Sequence, residues 1–119
     1  MKAKPSALVL TGIMALFSGS AFSASVPHEI FHPHGAKIIK AQRKNSEFEA
    51  EFQLHGDDVS SLAKQVRNHA QRHGFEVVES EIKRDDADLK FKRHGQELEV
   101  SIEQKNGIIE YKADLDWHH

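Results

Sequence analysis

Nine of the 119 residues are histidines, and there is no cysteine. His28, His32 and His34 fall within seven residues of one another beside Glu29, in a His-x3-His-x-His spacing. Imidazole and carboxylate without sulfur suit Zn²⁺, Ni²⁺ or Cu²⁺, and His55 would complete four ligands, so His28, His32, His34 and His55 form the first candidate metal set. His73, His94, His118 and His119 form a second. His69 and His73 stand four apart, a spacing at which two side chains of one helix can hold one ion. The plainer reading is that they cap helix carbonyls or pack against Phe75. No glutamate follows His69, so a zinc-peptidase helix is not spelled. An amino-terminal clamp with histidine third needs a deprotonatable amide at its second position; trimming to Val26 places Pro27 there and excludes it.

The first residues set the expected compartment. Lys2 and Lys4 precede an apolar run over residues 8–17, and small residues follow over 18–24. This pattern predicts a signal peptide over residues 1–23, cleaved after Ala21-Phe22-Ser23 and before Ala24. The run is shorter than the roughly 20 residues that span a bilayer, and no cysteine follows it to carry a lipid. An exported, periplasmic protein without a stable membrane anchor is expected. Both methionines, Met1 and Met14, leave with the leader, which removes soft sulfur and excludes a methionine-rich copper(I) carrier. Losing two lysines and no acid leaves 14 basic against 18 acidic groups, a net charge of −4, and nine protonated histidines would carry it to +5. That balance argues against a nucleic-acid partner.

These residues must be positioned by one small domain. Residues 24–35 hold Pro27 and Pro33 without periodicity and read as an extended arm; residues 36–119 read as a single domain. A first strand opens at Lys37 with Ile39 and Ala41 sharing a face, and Lys44-Asn45-Ser46 turns the chain. Phe48, Ala50, Phe52 and Leu54 then alternate with Glu47, Glu49, Glu51 and Gln53 in a half-buried strand. Val59, Leu62, Ala63, Val66 and Ala70 give the stripe of a helix over residues 58–73, with acids at its start and Gly74 as its stop. Four strands follow over 75–83, 89–93, 98–102 and 109–115, joined by turns at 84–87, 94–96 and 105–107, the last an Asn-Gly hairpin signal.

The order is β-β-α-β-β-β-β, an α+β fold in which one helix covers one face of an antiparallel sheet and the other face is charged. At the level of topology alone it resembles the small secreted modules of cystatin-like and PepSY type. The motif a cystatin carries in its hairpin loops has no counterpart at residues 93–97 or 103–108.

An up-and-down chain sorts the histidines into two poles: His28, His32, His34 and His55 at the helix start, and His73, His94, His118 and His119 at its end. Catalytic constellations are missing. Ser60 and Ser61 sit on no Gly-x-Ser-x-Gly elbow, and Asp85, Asp86 and Asp88 lack the glycine and distal glutamate of a calcium loop. Lys83, Arg84, Lys90, Lys92 and Arg93 read as a solvated strand face. The expectation is a small exported binding protein rather than an enzyme, holding Zn, Ni or Cu(II) through histidines. The alternative is a pH-responsive inhibitor or stress module that binds an exported protein partner through its charged sheet face or an edge strand.

Overall fold

A computed structural model of the protein describes residues 26–117, and the expected signal peptide lies outside them. The elements run β1 (Lys37–Lys44), β2 (Glu47–His55), α1 (Val59–Arg72), β3 (Glu76–Ile82), β4 (Asp86–Arg93), β5 (Gln96–Lys105) and β6 (Ile108–Trp117). The strands form one antiparallel sheet in the order β1-β2-β6-β5-β4-β3 with α1 against one face, the expected α+β fold. After the helix the chain enters at the far edge and returns strand by strand until β6 closes against β2.

Local chemistry accounts for the boundaries. The Asp58 carboxylate accepts from the Ser61 amide at 3.0 Å and caps α1. At the other end the Phe75 and Gly74 amides donate to the Ala70 and Gln71 carbonyls, with Gly74 at φ 86, a Schellman stop. Asn106 and Gly107 both take positive φ in the β5–β6 hairpin, as a type I′ turn requires. His94 and Gly95 do the same between β4 and β5.

Two strand details differ from the sequence expectation. A bulge between Ile38 and Lys40 breaks the alternation in β1, so Ala41 shares the inner face with Ile38, and Ile39 is left 44% exposed. β4 begins at Asp86 rather than Leu89, because Ala87, paired to Ile82 and Ile102 and fully buried, extends the ladder into the expected turn.

The helix buries Val59, Leu62, Ala63, Val66 and Ala70, and packs on β3, β4 and β5. The rest of the inner face, on β2 and β6, is roofed by the arm. Ile30 and Pro33 are buried, and Val26, Phe31 and Ala36 pack against the core. The fully buried Tyr111 stacks on Phe52 and donates its hydroxyl to the Phe31 carbonyl at 2.8 Å; burial, eased slightly by that bond, holds its phenol far above the ordinary range. The described part of the arm is therefore a packed element of the fold.

Arg93 ties the arm to the helix end. Its guanidinium donates to Glu29 at 3.0 Å, to the His73 carbonyl and to Gln96, and lies over the Phe75 ring at 4.4 Å. Burial raises the Glu29 carboxyl, but its own backbone amide, the Arg93 hydrogen bond and the charges of Arg93 and His28 outweigh this and hold it below its usual value. Stability from this carboxylate is present above its unfolded-state pKa and is lost as pH falls through the lower folded one. Arg93→Ala should cost about 2–3 kcal/mol, since it strands a half-buried carboxylate and a helix-terminal carbonyl. Chemical denaturation checks the loss, and faster amide exchange at residues 28–32 checks that the arm lifts with it.

Candidate functional site

The structure brings some of the candidate histidines together and separates others. His34 and His55 line one hollow of about 350 Å³ at the start of α1, with Asp57, Asp58 and Gln65. His55 closes β2, paired to Ile108. His32 lies with its ring against Phe52, 5.0 Å between centroids. His28 is at the opposite end of the helix, where its carbonyl accepts from His69 Nε2 at 2.7 Å. The two-pole expectation thus misplaces His28, because the arm runs alongside the helix from its end to its start, and Glu29 must reach Arg93.

His73 caps the helix through Nδ1 donating to the His69 carbonyl at 3.0 Å, and its ring contacts that of His69 at 4.4 Å. His94 is exposed in the β4–β5 turn that follows Arg93. His118 and His119 lie outside the described residues.

The larger concentration of chemistry lies on the open face of the sheet. Alternation in β2, β5 and β6 sends the apolar residues inward and the acids outward, and antiparallel pairing sets those acids side by side. Glu47, Asp116 and Glu97 form one row across the three strands, and Glu49, Asp114 and Glu99 the next. Carboxylate oxygens of Glu47, Glu49 and Asp114 lie within 4.8 Å of one another, a gathering of ligand atoms that includes no histidine.

Cations stand at the margins of these two rows, and Lys112 on β6, opposite Glu51, opens the row beyond them. Lys40 on β1 reaches Glu49 at 2.8 Å, while Lys90 on β4 reaches Glu97 at 3.6 Å and Glu99 at 3.5 Å. A groove of about 360 Å³ runs across β3, β4, β5 and β6 and takes in part of the second row, lined among others by Glu79, Asp88, Glu99, Lys112 and Asp114. This is the charged sheet face that the sequence offers as a partner-binding surface, without indicating which of its charges meet. Its signal, acids alternating on β2, β5 and β6, was visible in the chain, but the direct apposition depends on strand order.

The electrostatics follow from the rows. Half-burial, then the charges of Glu49, Glu47 and Glu99, raise the Asp114 carboxyl despite Lys40. The Lys40 hydrogen bond lowers Glu49 against a smaller desolvation cost. Like charges directly opposite in a sheet destabilise it. With its folded pKa raised, Asp114 binds its proton more readily in the native state, so the repulsion it brings weakens as pH falls through that value.

No protein-family model matches the chain, and no curated protein shows significant similarity to it.

Asp114→Asn should raise stability at pH 7 by a few tenths of a kcal/mol to about 1 kcal/mol. The gain should shrink as pH falls through the folded pKa of Asp114, where the wild-type group becomes neutral too. Thermal unfolding of both proteins at neutral and acidic pH measures this.

Proposed function

We propose that this is a protein-binding module that receives a basic segment of an exported partner on the open face of its sheet. The observation that carries the reading is the double row of six carboxylates on β2, β6 and β5. A sheet that needed only to fold would alternate charges across these pairs, as Lys40 with Glu51 and Lys90 with Glu99 do. A local rule broken at a stability cost is the pattern expected at a binding surface, where a cationic partner offsets the repulsion. The alternation of side chains suits an extended segment with lysine or arginine at every second position.

A lysine- and arginine-rich peptide of about ten residues serves as the probe, because that length spans the sheet in extended form. Its amide-shift footprint should concentrate on β2, β5 and β6, and its affinity should fall at least tenfold in Glu49→Gln/Asp114→Asn/Glu99→Gln and weaken steeply with salt. An unchanged affinity in that variant, or shifts scattered over the molecule, would overturn the reading.

A second reading, a borderline divalent metal held by nitrogen and oxygen ligands, rests only on His34, His55 and Asp57 lining one hollow; the ligand atoms gathered within 4.8 Å of one another among the described residues are those of Glu47, Glu49 and Asp114, not these. Calorimetry with Zn²⁺, Ni²⁺ and Cu²⁺ should then give binding that His34→Ala/His55→Ala removes. Affinity no tighter than about 10 μM rules it out as a dedicated site.

A further inference from the structure

The two edges of the sheet are chemically opposite. β1 carries Lys37, Lys40, Arg43 and Lys44 and no acid; β3 carries Glu76, Glu79 and Glu81 and no base. Both lie at the sheet margins and pair on one side, to β2 and to β4. They are similar in length, at 8 and 7 residues. Six strands joined by antiparallel ladders alternate in direction, so β1 and β3 run antiparallel to each other. A second copy set beside the first would therefore meet β1 with its β3 in the same antiparallel sense that runs through the sheet.

Faces match as well as directions. Lys40 and Lys44 lie on the open face, opposite Glu51 and Glu47; Glu76 and Glu79 lie on that face too, opposite Lys92 and Lys90. Ile39 and Val78, 44% and 50% exposed, are the two large apolar side chains left open among the described residues. Each stands at the bulge of an edge strand.

We propose that β1 of one copy and β3 of the next associate edge to edge, extending the sheet from molecule to molecule, with Lys–Glu pairs on the open face and Ile39 near Val78. Edge lysines and bulges ordinarily keep sheets apart, and here they act selectively. β1 repels another β1 and β3 repels another β3, which disfavours closed two-fold dimers, whereas β1 attracts β3. Such a contact is heterologous and forms open chains.

Light scattering of the full mature protein provides the first test. Between about 10 μM and about 1 mM in low salt, the weight-average mass should at least double, and about 0.5 M salt should return it to the monomer. A monomer throughout the low-salt range overturns the proposal.

Two charge reversals locate the contact. On the open face, Lys37→Glu/Lys44→Glu turns β1 net acidic like β3, with Lys40 left between two glutamates, and Glu76→Lys/Glu81→Lys turns β3 net basic like β1; each alone should be monomeric, with circular dichroism showing a retained fold. Mixing the two recreates opposite edges and should restore assembly. Assembly by either variant alone, or none in the mixture of folded variants, overturns edge pairing. Asp114→Asn, on the central strand β6 and away from both edges, should weaken binding of the basic peptide and leave assembly unchanged, which separates this contact from the basic-segment site.

Discussion

The width of the sheet governs this fold. Six strands at about 4.8 Å spacing present an apolar face about 24 Å across, and one helix is about 10 Å in diameter. The helix therefore roofs β3, β4 and β5 and leaves Phe48, Phe52 and Tyr111 in need of cover. The arm supplies it. Ile30 and Pro33 fill the gap, the Tyr111 hydroxyl satisfies the Phe31 carbonyl, and Arg93 joins arm, helix end and β4–β5 turn in one polar knot. Arg93 tolerates half-burial because its donors are met by a carboxylate, a main-chain carbonyl and an amide oxygen.

Since helix and arm both lie on the inner face, the outer face of the sheet is uncovered, and its charges must be borne by cross-strand pairing. The closing of β6 between β2 and β5 is the decisive step. Each of these strands carries acids at alternate positions, so joining them stacks carboxylate against carboxylate while the lysines of β1 and β4 remain at the flanks. The raised Asp114 carboxyl is the local record of that arrangement. In the proposed function a basic partner would relieve that repulsion, so binding strength there and intrinsic stability would pull in opposite directions.

Much of the fold was legible in periodicity. The stripe from Val59 to Ala70, bounded by Asp58 and Gly74, gave the helix to within a residue at either end, because capping and burial act within a few residues of one another. Phe48 to Leu54 and Leu98 to Ile102 gave inward faces correctly. Ile39 misled because a bulge is set by how β1 meets β2, and Ala87 because its burial comes from Ile102, fifteen positions away. The pole at which His28 lies is not legible in the chain, because nothing local to the arm states its direction; Arg93, distant in sequence, decides it.

Element order, the amphipathic faces and the excess of imidazole over sulfur follow from residue type and spacing and need no tertiary contact to be read. Tertiary structure alone decided which histidines meet, which half of the core the arm covers, and that acids of three separate segments form adjoining rows. Such features arise from contacts between residues far apart in the chain, where long-range pairing rather than local preference selects the neighbours.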